Sequence, residues 1–146
     1  MIIQSVFSIK LSQGEYVAAE ALTQIYESCP LVQQIFIYGD AKRSYLVGIV
    51  VPKIGEVAKF LQKGRMSPED FKEACKDKKL NEAIIEQLKE MATKEKLFGY
   101  QRIVKIYLES NEWTVDNEFL TPTFKLKRKK LENFYRKIID DLYGDE

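Results

Sequence analysis

Two lysines, Lys125 and Lys127, stand just behind the turn-forming Thr121-Pro122-Thr123 and just ahead of an amphipathic stretch that runs to Tyr143. An ammonium held on a turn between fixed elements can enter an active site, where it orients anionic reactants and offsets developing negative charge. Within residues 131 to 143, Leu131, Phe134, Tyr135, Ile138, Ile139, Leu142 and Tyr143 recur at the spacing of one helical face. That pattern predicts a docked helix. Counting back four from Leu131 reaches Lys127, in line with the apolar face, whereas Arg128, Lys129 and Lys130 are expected to project elsewhere. The same basic run also reads as a solvated helix start, or as a nuclear-targeting or nucleic-acid patch.

Other chemistries lose support quickly. The chain has no histidine, which removes imidazole bases, Ser-His and Cys-His nucleophile pairs and His-ligated metals. Cys29 and Cys75 are far apart and belong to no C-x-x-C pair, so a disulfide framework, a zinc site and a thioredoxin-type site are not expected; two buried or half-buried thiols are. Glu15 and Glu20 lack an accompanying base, nucleophile or metal ligand, and read as surface or capping residues. Trp113 and Phe119 read as core or lid packing ahead of the lysine segment. The seven glycines make no phosphate-binding loop of either common pattern.

Lys and Arg number 23 against 22 Asp and Glu, so the overall field offers little attraction to nucleic acid or anionic lipid. The longest apolar run, Tyr45 to Val51, is far short of the roughly 20 residues that cross a bilayer. Met1-Ile2-Ile3-Gln4 lacks the basic start of a signal peptide. A cytoplasmic setting, or the cytosolic face of a membrane, is the expectation.

The 146 residues suit one domain. Ser12-Gln13-Gly14-Glu15 predicts a tight turn between two short strands, and Val17 to Glu27 a helix with Ala21, Leu22 and Ile25 inward. Val32 to Tyr38 and Tyr45 to Val51 predict neighbouring antiparallel strands, the second central, ended by Pro52. Ser67-Pro68-Glu69-Asp70 predicts a capped helix start. A further helix start is expected at Asn81, with a Leu80/Ile85 staple and Ile85, Leu88 and Ala92 inward. Residues 103 to 108 predict a strand with Ile103, Lys105 and Tyr107 on one face and Val104, Ile106 and Leu108 on the other. The expected class is α/β (α+β): a small, mainly antiparallel three-stranded sheet packed by helices, with an N-terminal β-hairpin.

Three islands carry a resemblance. Ile9-Lys10-Leu11-Ser12-Gln13-Gly14-Glu15-Tyr16-Val17-Ala18, then Tyr38-Gly39 with Leu46-Val47-Gly48-Ile49-Val50-Val51-Pro52, then Leu120-Thr121-Pro122-Thr123-Phe124-Lys125-Leu126-Lys127-Arg128 together resemble the C-terminal domain of long-chain fatty acyl-CoA synthetases. The resemblance implies that a large N-terminal domain binds ATP, Mg2+ and the fatty acid, and that this small domain closes over it in two orientations. In the first, a lysine of the small domain reaches the site where carboxylate and α-phosphate combine; on the family pattern this is Lys127, with Lys125 the alternative. In the second, the hairpin turn of Gln13, Gly14 and Glu15 faces the approaching CoA.

Where the family has an Asp-Arg and a polar hinge residue, this chain reads Ile3-Gln4-Ser5-Val6-Phe7-Ser8. Ala19 stands where proline is common, and Glu118 where a glycine often precedes the lysine loop. The resemblance covers only the small domain, so the chain by itself is expected to hold neither ATP, CoA nor Mg2+ and to make no acyl-CoA. Its expected partner is its own N-terminal adenylation domain, with any peripheral membrane association coming through the parent. The alternative is a stand-alone interaction or regulatory module that keeps the fold without the chemistry.

Overall fold

The computed structural model of the chain describes residues 8–144; the hinge reading at Ile3 to Phe7 lies outside them. Strands β1 (Ser8–Lys10) and β2 (Tyr16–Ala18) pair antiparallel, with Ile9 opposite Val17 and both buried. The turn between them closes through Gly14 N–H to the Leu11 carbonyl and Leu11 N–H to the Glu15 carbonyl, each at 2.9 Å. Gly14 adopts φ +90° while the space around its Cα is open. Glycine is therefore required by backbone conformation, not by lack of room. Gly39 is the opposite case, because a Cβ there would lie 2.7 Å from Leu46 Cδ2 and 3.1 Å from Ile9 Cγ2. Its absent side chain is what lets the hairpin dock on the sheet.

That sheet has the order β3 (Val32–Tyr38), β4 (Leu46–Pro52), β5 (Ile103–Leu108). The near-continuous apolar run of β4 is central and buried throughout. The strand pairs are mostly antiparallel: β1 with β2, and β3 with β4. By contrast β5 runs parallel to β4, because a long helical crossover separates them. The register slips so that Leu46 pairs with Ile103 and Val47 with Lys105, leaving Val104 as an extra residue. This bulge changes the side-chain phase. Ile103 consequently joins Ile106 and Leu108 in the core, while Val104 is exposed, which corrects the simple alternation expected over residues 103 to 108.

Three helices form the crossover: α2 (Ile54–Phe60), α3 (Pro68–Ala74) and α4 (Lys78–Lys94). Ser67 caps α3 as expected, its Oγ accepting the Asp70 N–H at 3.1 Å. Helix α4 starts three residues before the expected Asn81, because Asp77 accepts the Lys79 N–H at 2.7 Å and is the true cap. Its buried residues are therefore Leu80, Ile84, Leu88 and Ala92, with Ile85 only half-buried. Asn81 instead donates from Nδ2 to the Ile106 carbonyl. Helix α1 spans Ala19–Tyr26 and buries Ala19, Leu22 and Tyr26, leaving the expected Ala21 exposed. Tyr26 commands the inner face because its hydroxyl donates to the Gln101 carbonyl at 2.8 Å.

The sheet separates two cores. On one face Ile35, Ile37, Leu46 and Val50 meet α1, α4 and the hairpin. On the other, Phe36, Tyr38, Val47, Ile49 and Val51 meet Trp113 and the C-terminal helices. These are α5 (Arg128–Phe134) and α6 (Arg136–Tyr143), broken at Tyr135, where one longer helix was expected. Leu131, Tyr135, Ile139 and Tyr143 face inward, while Phe134 is 64% exposed and leaves the expected stripe.

Candidate functional site

The lysine segment is a small closed loop. Leu120 and Leu126 form an isolated antiparallel bridge, and Thr121 N–H donates to the Lys125 carbonyl at 2.8 Å. Inside that ring, Phe124 N–H reaches the Thr121 carbonyl at 2.8 Å and Lys125 N–H reaches Thr121 Oγ1 at 3.1 Å. Phe124 completes the turn at φ +64°, a conformation unusual for a bulky residue, with its ring 75% exposed. Glu118 also takes a left-handed conformation, φ +67°. This is the region of backbone that glycine adopts most readily.

Lys125 is exposed on the returning side of this ring, next to the Leu120–Leu126 bridge, whereas Lys127 is half-buried just beyond that bridge. Lys127 N–H donates to the Phe119 carbonyl at 2.9 Å, its own carbonyl accepts the Leu131 N–H at 3.0 Å, and it occupies the N-cap position of α5. Lys129 and Lys130 lie within ion-pair range of Glu132 and Glu118. Among the described residues no carboxylate comes that close to Lys125 or Lys127.

Lys125 lines a cleft of about 400 Å³ between the loop and α1. Phe124, Leu126 and Arg128 share its wall, and Glu20, Thr23 and Glu27 lie across from them. Burial pushes the Glu27 carboxyl above the ordinary range, partly offset by a hydrogen bond from the Ile35 N–H. Lys127, Gln13, Gly14 and Glu15 do not line this cleft. The hairpin turn forms its own feature, with Gln13 Nε2 donating to the Ser44 carbonyl at 3.1 Å and Glu15 exposed.

Arg128 corrects the expectation that it projects away from the core. Its guanidinium donates to the Ile37 carbonyl and lies over the Phe36 ring at 4.8 Å, so both groups are supplied by β3. Desolvation pushes its pKa down to about 10, against the opposing effect of Glu132 and Glu20. The signal was present in the sequence: position 128 lies three and seven residues before Leu131 and Tyr135, in phase with the buried face. Its charge concealed that phase, since a guanidinium is seldom placed inward without partners.

The platform beneath the loop is aromatic. Trp113 is buried, and its Nε1 donates to the Tyr135 hydroxyl at 3.0 Å, which donates in turn to Glu109 Oε1 at 2.6 Å. Gln34 holds the Trp113 backbone from both sides, accepting its N–H and donating to its carbonyl at 2.9 Å each. Phe119 meets Phe134 edge to face at 5.1 Å. Packing is thus the role of Trp113 and Phe119, as expected. Cys29 is buried and Cys75 half-buried, both free, and burial pushes each thiol up to about 11. Among the described residues, no group of three or more His, Cys, Asp or Glu is placed to hold a metal ion, and no helix is long and apolar enough to cross a membrane.

Relatives give this geometry a context. The chain is 40% identical over 136 residues to long chain acyl-CoA synthetase 2 of Arabidopsis thaliana, a match covering 93% of this chain and 20% of that protein. It is 37% identical over 135 residues to long-chain-fatty-acid--CoA ligase 1 of Homo sapiens, covering 92% and 19%. Among solved structures, the adenylation domain of a carboxylate reductase from Mycobacterium chelonae superposes with a TM-score of 0.79 at 33% identity, covering 94% of this chain and 19% of that one. The corresponding domain from Segniliparus rugosus, solved in complex with AMP and a co-purified carboxylic acid, superposes with a TM-score of 0.76 at 31% identity, covering 94% and 20%. No family model matches the chain. By sequence and by fold, the chain is homologous to a part, about one fifth in length, of the long-chain acyl-CoA synthetases within the adenylate-forming superfamily.

Proposed function

We propose that this domain is the C-terminal lid of a long-chain fatty acid-CoA ligase. It closes over an adenylation domain, presenting the lysine loop for adenylate formation and the Gln13-Gly14-Glu15 turn for the CoA step. The observation that carries the reading is the closed Leu120–Leu126 ring, a hydrogen-bonded loop that carries the exposed Lys125 next to an aromatic core. Such a point charge suits a reaction between two anions, because it bridges carboxylate and phosphate without imposing a fork geometry. Exposure, the left-handed turn at Phe124 and the adjoining cleft favour Lys125 as the reaching group. Lys127, which family spacing favours, is the alternative; its half-buried cap position suits holding the loop better than crossing to another domain.

ATP, CoA and Mg2+ belong to the complete enzyme. This chain's contribution to them is the loop ammonium and an unobstructed turn at Gly14. The test is a chimaera in which this chain replaces the matching fifth of Arabidopsis long chain acyl-CoA synthetase 2. The chimaera should form acyl-CoA. Lys125→Ala should suppress adenylate formation by orders of magnitude while sparing thioesterification of a supplied acyl-adenylate, and Lys127→Ala should be the milder variant. The opposite ranking would assign the role to Lys127. A folded chimaera that releases no pyrophosphate would favour a non-catalytic module, as would partner binding without turnover. This chain alone, given ATP, CoA and palmitate, should release none.

A further inference from the structure

The lysine ring is joined to α5 at a residue whose side chain is anchored elsewhere. Arg128 is the first residue of α5, three positions after Lys125, yet its guanidinium is fixed on β3 by the Ile37 carbonyl and the Phe36 ring. It also forms a wall common to two clefts. One is the 400 Å³ cleft that Lys125 lines; the other, about 310 Å³, is bordered by Ser8, Ile9 and Lys10 of the hairpin and by Glu132. Besides this anchor, the ring is held by Leu120 N–H to the Thr114 carbonyl, by Lys127 N–H to the Phe119 carbonyl and by the packing of Leu120 and Leu126 on the aromatic core; none of these contacts reaches β3 by a hydrogen bond as Arg128 does.

We infer that Arg128 is a positioning residue: it pins the lysine loop to β3 and so sets where the loop ammonium stands. This rests on the proposed role of the loop. A planar guanidinium suits the task because it stacks on a ring while donating in its own plane. Lysine at the same place would keep the charge but lose that combination. Loosening the loop by an ångström would matter in a closed site, where misplacement of that size costs about 100-fold in rate.

Hydrogen exchange of this chain tests the pin without requiring catalysis. The amides of Thr121, Phe124, Lys125 and Lys127 are all hydrogen-bonded within or beneath the ring. In Arg128→Gln they should exchange about tenfold to a hundredfold faster, the loss expected for a charged hydrogen bond, while amides of β4 keep their protection. Arg128→Lys should recover only part of the difference, and Lys129→Gln, at an exposed position, should change nothing. If Arg128→Gln fails to fold, Arg128→Lys alone decides. Unchanged loop exchange overturns the inference, and so does acceleration spread equally over β3 and β4, which would make Arg128 a general strut. In the chimaera, Arg128→Lys should lower kcat for adenylate formation with the KM for ATP unchanged. A loosened loop in a chimaera that is inactive even with Arg128 intact would fault the functional reading and leave the pin standing.

Discussion

The two faces of the sheet are built on different principles. The face toward α1 and α4 is mainly aliphatic, with Ile35, Ile37, Val50, Leu80, Ile84 and Leu88 among its members, although Tyr26 is tied there to the Gln101 carbonyl. Aliphatic contacts are non-directional and tolerate small shifts. The face toward α5 and α6 is aromatic, and its polar tips are tied. Trp113 reaches Tyr135 and through it Glu109, Tyr143 donates to the Tyr45 carbonyl at 2.8 Å, and Arg128 is held by β3. Directional bonds fix orientation as well as distance. The lysine loop stands on the tied face, so the candidate site rests on the half of the molecule with the more directional contacts.

Truncation at the centre of each face should expose this difference. Trp113→Ala should cost about 3–5 kcal/mol by urea titration and also release the loop amides. Ile84→Ala should cost about 2–4 kcal/mol and leave those amides protected. Comparable loop release in both would dissolve the distinction. A finer cut is Tyr135→Phe, which leaves Trp113 Nε1 and Glu109 without their partner at almost unchanged volume. It should cost about 1–3 kcal/mol, and a neutral result would mean that the hydroxyl chain holds nothing in place.

Alkaline pH separates the faces further. Burial pushes Tyr26 up to about 12, raises Tyr135 and Tyr143 well beyond the ordinary phenol range, and pushes both thiols up to about 11. An acid whose folded pKa is raised favours folding fully below its unfolded value, and that contribution is lost as pH rises through the folded value. The thiols should therefore erode stability from about pH 9 to 11 and the phenols from about pH 10 upward. Urea midpoints should fall over this range. Tyr143→Phe should flatten the upper part of the fall, and an unchanged slope would show that this phenol does not contribute. The smallest effect is expected at Glu118→Gly, which relieves a left-handed residue at the loop entrance and should gain less than about 1 kcal/mol. A loss there would mean that the Glu118 side chain, near Lys130, outweighs the backbone.

Much of the architecture was legible because it depends on local pattern. The β-branched runs marked β3 and β4, Gly14 marked the hairpin turn and Ser67 marked a helix start. Errors arose where two local signals competed. Asp77, the cap of α4, is embedded among Lys76, Lys78 and Lys79, and the apolar pattern drew the expected start to Asn81. The single helix expected after Lys127 is two, with the break at Tyr135, where φ −99° and ψ 15° leave the helical range although the buried face continues through Leu131, Tyr135, Ile139 and Tyr143.

The sequence by itself determined the class of fold, the central place of β4, the absence of imidazole chemistry and the loop on which the candidate lysines stand, because residue type and spacing act over a few positions. Only the tertiary structure decided that Lys125 is exposed on a cleft while Lys127 is half-buried at a helix cap, and that Arg128 turns inward onto β3. Those outcomes depend on the Ile37 carbonyl and the Phe36 ring, 91 residues away in the chain in the case of Ile37, and no spacing within the lysine segment encodes where that strand will lie.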